Sequence, residues 1–404
     1  MTENAVFDPY DGFAELAGAD RDPYPGFAER RRSSPVWKGS LVPQEMVPPA
    51  FRLEHPYHCF RYDDCARVLR DTKTFSSECY DHTIGMVMGR TILGMGGQEH
   101  KVHRGLVSHA FRERSLARWQ PEMVEPICHQ LVDGFAGRGQ AELVRQLTFD
   151  FPVRVIARLL GLPEEDYQDF QRLSTELIGI AADIERGLAA SEQLKEYLSH
   201  LVADRRREPR EDIISDLVTA EVDGEALDDE AIYSFLRLLL PAGVETTYRS
   251  AGNLLFLLLT HPEQLEAVRA DRSLIPQAIE EGLRCEPPIL SIQRDTTTET
   301  EVAGVAIPAG AGMNPWLGSA NHDETRWDDP DRFDIFRPYV PHLVFGHGPH
   351  LCLGMHLARL ETRVLVDVVL DRLPDLRLRT DEDPHIRGLL FRSPNRLPVE
   401  FAAA

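Results

Sequence analysis

The sequence predicts a mainly α-helical protein with small β-sheets, and the spacing of its apolar residues is the main reason. Several long segments repeat apolar residues at intervals of three or four, which is typical of amphipathic helices. These segments are residues 62–71, 167–184, 191–207, 228–240, 262–271 and 355–373. Segments with the composition of strands are short and lie at residues 56–62, 300–310 and 397–401. A hydrophobic content of 43% is that of an ordinary globular chain.

The composition argues against several partners and locations. The formal net charge of -21 disfavours binding to nucleic acid, because counterion release needs clustered lysine and arginine. The N-terminal stretch MTENAVFDPYDGFAEL does not have the basic and then apolar pattern of a signal sequence. The longest strongly apolar run, around residues 235–240, is far shorter than a bilayer requires. We therefore predict a cytoplasmic protein with no nucleic-acid partner and no membrane contact.

The sequence has no sign of a division into domains and no zinc or disulfide pattern. No repeat or Ser/Gly-rich linker interrupts the chain, so we predict a single domain over residues 1–404. The six cysteines lie far apart and form no CxxC pair, which indicates neither a disulfide framework nor a zinc ribbon. Two short clusters, at residues 55–59 and 99–103, bring His, Cys or Glu together but lack the second pair of ligands of a zinc site.

One segment, FGHGPHLCLG, combines three glycines with a solitary cysteine. Gly346, Gly348 and Gly354 allow the backbone to pass close to a flat group, and Cys352 stands just before a predicted helix. The amides at a helix N-terminus stabilise a thiolate. Haem iron accepts one protein thiolate as an axial ligand, and a cysteine without a cysteine partner can supply it. The alternative is a buried structural cysteine beside a glycine-rich turn.

At these residues the chain resembles the cytochrome P-450 family, whose signature reads Phe-x-x-Gly-x-His/Arg-x-Cys-x-Gly. Phe345, Gly348, His350, Cys352 and Gly354 fill its fixed positions. A chance match at five positions over about 400 starting points has a probability of about one in ten thousand. The resemblance covers nearly the whole chain and implies the fold of soluble bacterial members, an α-rich lobe plus a smaller β-rich lobe. It also implies heme b (iron protoporphyrin IX), with Cys352 as the iron ligand and with Phe345 and Gly354 in the cofactor-binding loop.

A second segment, LLLPAGVETTYRS, carries polar residues within an apolar helix, where an ionisable group is costly unless it has a partner or a task. The resemblance implies that Glu245 and Thr246 are catalytic, since the hydroxyl bonds the bound dioxygen and the acid helps to relay protons. Small Ala242 and Gly243 would leave room for oxygen and substrate. The alternative is that Thr246 only bonds the carbonyl of Ala242, four residues back. Pro241 departs from the family, and a proline there removes one helical hydrogen bond and kinks the helix.

A third segment, EEGLRCEPP, places Glu281 and Arg284 three residues apart on one helix face. It resembles the buried glutamate–arginine pair of the family, which a second arginine closes. Either Arg332 or Arg337, in the irregular stretch DPDRFDIFR, is the candidate for that second arginine. We expect this network to brace the cysteine loop, and we assign it a structural role.

The two propionates of haem need cationic or hydrogen-bonding partners, because a buried carboxylate is costly without them. By resemblance these partners are His100, Arg104, Arg294 and His350. His100 and Arg104 lie four residues apart and therefore on one helix face. This role replaces a zinc site as the interpretation of His100.

The resemblance places the substrate pocket at apolar positions in several parts of the chain. These positions are Ile84, Met86, Leu239, Ala242, Ile289, Leu290 and Phe391. Methionine side chains suit an adaptable apolar surface. Ordinary core packing is the alternative at each position. A lining of this kind predicts a hydrophobic small organic substrate.

Together these segments predict a haem-thiolate monooxygenase. Such an enzyme takes two electrons and O2, and it inserts one oxygen atom into a C–H bond or a double bond by hydroxylation or epoxidation. No flavin or iron–sulfur segment follows residue 404, so we expect electrons from a ferredoxin and its NAD(P)H-dependent ferredoxin reductase. The alternatives are a peroxide-driven peroxygenase and a non-catalytic haem protein that senses a gas or small ligand.

A local basic patch is the predicted docking surface for that ferredoxin. Its members are Arg112, Arg114, Arg118, Arg359 and Arg363. The first three follow the segment with the propionate partners, and the last two lie in the helix after the cysteine. Alternatively, these arginines pair with neighbouring glutamates.

Overall fold

The computed structural model of the protein describes residues 21–41, 56–111, 113–178, 183–222 and 224–403. Within these residues α-helices dominate and strands are short, as the sequence predicts. The helices are α1 (Tyr24–Ser33), α2 (Tyr62–Arg70), α3 (Gly85–Met88), α4 (Gly97–Ser108), α5 (Glu113–Trp119), α6 (Glu125–Asp133), α7 (Asp150–Leu159), α8 (Tyr167–Ile178), α9 (Ile184–Arg207), α10 (Ile213–Thr219), α11 (Asp229–Thr260), α12 (Pro262–Ala270), α13 (Ile275–Cys285), α14 (Leu317–Ala320) and α15 (Met355–Arg372). π-helical turns at Gln120–Val124 and Val144–Thr148 precede α6 and α7.

The strands of the described residues form a five-stranded sheet and several smaller pieces. They are β1 (Val36–Lys38), β2 (Tyr57–Cys59), β3 (Phe75–Ser76), β4 (Gln140–Glu142), β5 (Glu221–Val222), β6 (Glu225–Ala226), β7 (Arg294–Thr296), β8 (Thr300–Val302), β9 (Val305–Ile307), β10 (Gly312–Pro315), β11 (Arg377–Leu378), β12 (Ile386–Arg387), β13 (Ser393–Pro394) and β14 (Pro398–Glu400). The five-stranded sheet has the order β1-β2-β10-β7-β3, in which β2 and β10 are parallel and the other neighbours antiparallel. Strands β11, β14 and β4 form a second sheet, and the remaining strands pair in twos.

Every segment with helical or strand-like patterning contains the predicted element. The helical segments correspond to α2, α8, α9, α11, α12 and α15, and the strand-like ones to β2, to β8 with β9, and to β14. The predictions for residues 179–182 and for His55 lie outside the described residues. In the described ranges, no helix is both long and apolar enough to cross a membrane. The single domain over residues 1–404 stays a prediction.

Helix α11 is buried along most of its length because its sequence is apolar on nearly every side. It begins at Asp229, where the Asp228 side chain accepts a hydrogen bond from the Ala231 amide at 2.8 Å. The helix packs against α7, α9, α13 and α15, and it remains α-helical through Pro241. Pro241 therefore removes a backbone hydrogen bond without ending the helix.

The predicted glutamate–arginine pair is buried in α13 and is bidentate. Arg284 Nε and Nη2 donate to the two carboxylate oxygens of Glu281 at 2.8 Å each. Of the two candidates for the closing arginine, Arg337 supplies the side chain, and its Nε lies 3.3 Å from Glu281 Oε1. Arg332 contributes its backbone carbonyl instead, which accepts from Arg284 Nη2 at 3.1 Å.

Hydrogen bonds connect this ion pair to the cysteine loop through Asn321. Arg284 Nη1 donates to the Asn321 carbonyl at 3.0 Å, and Asn321 Oδ1 accepts from the Leu343 amide at 2.8 Å. The Leu343 carbonyl accepts from the Gly346 amide at 2.8 Å, in the turn before Cys352. The ion pair thus anchors the irregular segment that leads into the cysteine loop.

Removing the Glu281 carboxylate should lower the free energy of unfolding by about 3–5 kcal/mol, because Arg284 then keeps a buried and uncompensated charge. Denaturant unfolding and haem content of Glu281→Ala measure this effect. Glu266→Ala is the matched control, because Glu266 pairs with Arg269 at the same spacing but is 67% exposed. That control should cost less than about 1 kcal/mol. Equal losses in the two variants would contradict the bracing role.

Candidate active site

The turn before Cys352 depends on glycine. Gly346 and Gly348 have φ angles of 76° and 78°, in the left-handed region that strains other residues. A Cβ atom on Gly348 would lie 2.9 Å from the Cα of Arg70 in α2, so the loop passes close to this helix. The Cys352 amide donates to the Phe345 carbonyl at 2.8 Å and closes the loop.

The Cys352 thiol is accessible and lies among groups that attract negative charge. Cys352 is exposed, whereas the other five cysteines, all within the described residues, are buried. The protein atoms on its other sides still desolvate the thiol and raise the pKa of Cys352, while the Gly354 amide and two guanidinium groups lower it. These guanidinium groups belong to Arg104 and Arg359. Gly354 is the N-cap residue of α15, so the predicted interaction of the sulfur with a helix N-terminus is present.

The four predicted propionate partners lie together beside the cysteine loop, and we call them the cationic cluster (His100, Arg104, Arg294 and His350). The ring centroids of His100 and His350 are 4.1 Å apart. Arg104 donates to the Leu351 carbonyl. Burial, followed by the charges of the other three members, lowers the pKa of His350 to about 3. The neighbours that shift this pKa are thus all cationic or imidazole groups, with no carboxylate among them.

Two buried nitrogen atoms of the cationic cluster have no protein partner among the described residues. They are His100 Nε2 and Arg294 Nε. Because a buried polar atom without a partner costs about 1–3 kcal/mol, orphan nitrogens beside the Arg104 and Arg294 guanidinium groups indicate an anionic ligand. His350 does have a protein partner, since its Nε2 lies 3.1 Å from the Ser77 hydroxyl.

Glu245 and Thr246 lie on different sides of α11. Ala242 is exposed and Thr246 is half-buried, on one face of a helix that is otherwise largely buried. Thr246 Oγ1 donates to the Ala242 carbonyl at 2.9 Å, as the simpler alternative expects. Glu245 is buried and accepts a hydrogen bond from Arg249 Nη2 at 2.8 Å. Burial raises the pKa of Glu245, and the charge of Arg249 acts in the opposite direction.

Five of the predicted substrate residues keep accessible surface. Met86 in α3 is 44% exposed, and Ile84 at the start of that helix is half-buried. Ala242 lies on the open face of α11. Ile289 and Phe391 are half-buried and form an antiparallel bridge, so the turn at residues 389–393 lies beside the segment after α13. We call residues 389–393 the pocket turn.

The other two predicted substrate residues belong to the core. Leu290 has no exposed surface and packs in an aromatic cluster with Phe27, Phe60 and Trp316. Leu239 is also buried, in the main core. At both positions the structure corresponds to the core-packing alternative, because both side chains are buried among other apolar residues.

The predicted docking arginines have different environments. Arg359 donates to both carboxylate oxygens of Glu280, at 2.7 and 2.8 Å, and its guanidinium lies 4.5 Å from the centre of the Phe345 ring. It is therefore engaged beneath the cysteine loop rather than free for a partner. Arg363 donates to a glutamine of the π-helical turn before α6. Arg112 lies outside the described residues.

Comparison with known proteins decides the family. A model of the family described as Cytochrome P450 matches residues 177–395. The chain is also 41% identical over 342 residues to the erythromycin C-12 hydroxylase of Saccharopolyspora erythraea, which covers 81% of this chain and 84% of that protein. The chain belongs to the cytochrome P450 family.

Further relatives of this cytochrome P450 agree in fold and reaction type. The structure of cytochrome P450 CYP109Q5 from Chondromyces apiculatus matches with a TM-score of 0.86 and 40% identity, over 95% of this chain and 97% of that one. The cyclomarin C epoxidase of Salinispora arenicola is 37% identical over 342 residues, which is 80% of this chain and 86% of that protein. The predicted fold is thereby confirmed.

Membership of the family makes the protein a haem-thiolate monooxygenase that binds protoporphyrin IX and acts on small organic molecules with O2 and redox partners. The residues present fit this cofactor. An accessible cysteine at a helix N-terminus suits an iron ligand, and the cationic cluster with its orphan nitrogens suits two propionates.

Two residues of this P450 site escaped the sequence analysis. Arg249 follows Glu245 at the i,i+4 spacing of a helical ion pair, and this signal was available in the sequence. Glu280 had no comparable signal, because its partner Arg359 is 79 residues away.

Proposed function

We propose that Cys352 is the thiolate ligand of the haem iron and that the cationic cluster binds the propionates. The observation that carries this proposal is the position of the one exposed cysteine among the six, two residues before the N-cap of α15 and next to the orphan nitrogens of the cationic cluster. Phe345 and Gly354 shape the loop that presents the sulfur. The Phe345 carbonyl holds the Cys352 amide, and Gly354 leaves the first turn of α15 open, with no atom within 4 Å of a Cβ at that position.

Haem supplies the oxygen chemistry, and the chain orients substrate and protons around it. We assign Thr246 as the hydrogen-bonding hydroxyl on the open face of α11. Its proton is donated to the Ala242 carbonyl, so its oxygen can accept a hydrogen bond from a group on the open face of α11. We assign Glu245, which accepts a hydrogen bond from Arg249, as the acid that takes up protons and delivers them towards this hydroxyl.

The proposed substrate is a hydrophobic small organic molecule that is hydroxylated or epoxidised. The support is the accessible apolar surface of Ile84, Met86 and Ala242. Ile289 and Phe391, which lie later in the chain, are also apolar and partly accessible. The names of the erythromycin C-12 hydroxylase and the cyclomarin C epoxidase agree with both reaction types.

We further propose that a ferredoxin, reduced by an NAD(P)H-dependent reductase in the cytoplasm, delivers the electrons. Helix α5 carries the arginines best placed for docking, because it packs beside α15, the helix that follows the cysteine. Arg114 is exposed, whereas Arg118 lies within 4 Å of two glutamates, at 3.8 and 3.6 Å. Arg114 is therefore the better candidate for an acidic partner.

A peroxide-driven peroxygenase and a haem-based sensor are the alternatives. The presence of both Glu245 and Thr246 favours the oxygen-dependent reaction, since both serve proton delivery. Product that forms with O2 and redox partners, but not with peroxide alone, separates the proposed reaction from both alternatives.

The reduced carbon monoxide complex of the wild-type protein should have the strongly red-shifted band of thiolate ligation, and Cys352→Ala should lose it. Cys128→Ala is the control, because Cys128 is a buried cysteine within α6, and it should keep the band. Absorption spectra of both variants provide the measurement. A Cys352→Ala protein with an unchanged band would refute the assignment.

Thr246→Ala should retain haem and consume NAD(P)H, but more of the electrons should end in hydrogen peroxide instead of product, because the hydroxyl that orders proton delivery is gone. The measurement is the ratio of product to peroxide with a substrate identified by its effect on the haem spin state. Thr246→Ser should restore product. Thr260→Ala is the control, because Thr260 makes the same i−4 carbonyl bond at the end of α11. Equal product yields in Thr246→Ala and wild type would assign the hydroxyl to the helix alone.

Arg114→Glu should slow the first electron transfer from ferredoxin, and added salt should slow the wild type, because screening shortens the Debye length to about 8 Å near physiological ionic strength. Stopped-flow reduction of the haem measures both effects. Arg207→Glu is the control, because Arg207 is 78% exposed at the end of α9, and the haem of this variant should be reduced at the wild-type rate. Rates that respond to neither Arg114→Glu nor salt would place docking elsewhere.

A further inference from the structure

The acid of the central helix shares its arginine with the pocket turn. Arg249 has no exposed surface, and its Nη2 donates to Glu245 Oε1 at 2.8 Å. Its Nη1 donates to the Ser393 hydroxyl at 2.9 Å, across 144 residues of sequence. One guanidinium therefore bridges α11 and the end of the pocket turn.

The same guanidinium also lies against an aromatic ring that we assign to the substrate pocket. Its Cζ atom is 5.4 Å from the centre of the Phe391 ring and 5.0 Å from that of Tyr248. Phe391 is half-buried and bridges to Ile289, so part of this residue stays accessible while its ring contacts the arginine. A planar, rigid guanidinium is suited to hold an acid, a hydroxyl and a ring at once.

An arginine that served only to neutralise Glu245 would not need these further contacts. A lysine at i+4 could supply the same charge from the helix itself. Because one guanidinium bonds both the acid and the pocket turn, the position of the Glu245 carboxylate depends on the position of the pocket turn.

We propose that Arg249 is a positioning residue that couples the pocket turn to Glu245, so that the orientation of the acid depends on how Phe391 is held. This inference rests on the proposed roles of Glu245 and Phe391. A substrate seated against Phe391 fixes the ring, the guanidinium and the carboxylate together. A ligand that does not contact Phe391 lets the ring, the guanidinium and the carboxylate shift. Glu245 is then no longer oriented for proton delivery.

The first test is a double-mutant cycle between Phe391→Leu and Glu245→Gln, measured by reversible denaturant unfolding of the ferric holoenzyme. The two changes should be non-additive by about two- to fivefold in the unfolding equilibrium constant, the range of a cation–π contact. In an Arg249→Met background the coupling should vanish. Additive effects in the wild-type background, or coupling that persists without Arg249, would overturn the proposal.

The second test is a spectroscopic signature that mere stability does not change. The carboxylate band of Glu245 is identified by infrared difference between the wild type and Glu245→Gln. Phe391→Leu and Ser393→Ala should shift this band. Leu390→Ala should leave it in place, because Leu390 is 46% exposed and its aliphatic side chain has no group that could hydrogen-bond a guanidinium. Arg249→Lys should keep a positive charge beside Glu245 but make the carboxyl band insensitive to Phe391→Leu.

The two proposals can fail separately. If the Glu245 band does not shift in Phe391→Leu or Ser393→Ala, the coupling is overturned, whatever the role of Glu245 in the reaction. Unchanged turnover in Glu245→Gln would instead remove the proposed proton delivery, while a shifted band would still establish the mechanical link.

Discussion

The buried ion pair of Glu281 and Arg284 is the interaction on which the candidate active site depends. Removing both charges from water is costly, and the bidentate geometry alone does not offset that cost. The remaining donors of Arg284 bind backbone carbonyls of the irregular segment, at Asn321, Pro330 and Arg332. The ion pair therefore orders a stretch of chain with little secondary structure of its own, and Asn321 passes that order on to the loop that presents the thiol.

The site also illustrates why net charge is a weak guide to local chemistry. The chain is strongly acidic as a whole. The cationic cluster nevertheless brings guanidinium and imidazole groups from three separate segments of the chain together beside one thiol. The surface charges that make up the net value are screened within about 8–10 Å by salt. Buried groups are screened far less, so the nearest neighbours decide which ligand is favoured. An anionic cofactor is thus compatible with an acidic protein.

The sequence allowed most of the fold and part of the site to be predicted, and the failures have physical causes. Helical periodicity is a local property, and the spacing within the cysteine loop and within α13 is local as well. The choice between Arg332 and Arg337 was open because the segment that carries them has no periodicity to fix side-chain directions. The burial of Leu290 depends on aromatic rings from distant parts of the chain, and no spacing around Leu290 indicates them.

The open face of α11 is made where the helix is intrinsically weakest. Pro241 lacks an amide and Gly243 is a poor helix former, so this turn has little stability of its own. Gly243 does not face the side where room for oxygen and substrate was expected, because a Cβ there would lie 2.7 Å from Ile156 Cδ1 on α7. Its small size instead lets α7 pack closely against the helix from behind. Packing against α7 therefore keeps this turn helical. Ala242 and Thr246 stay accessible on the open face of α11.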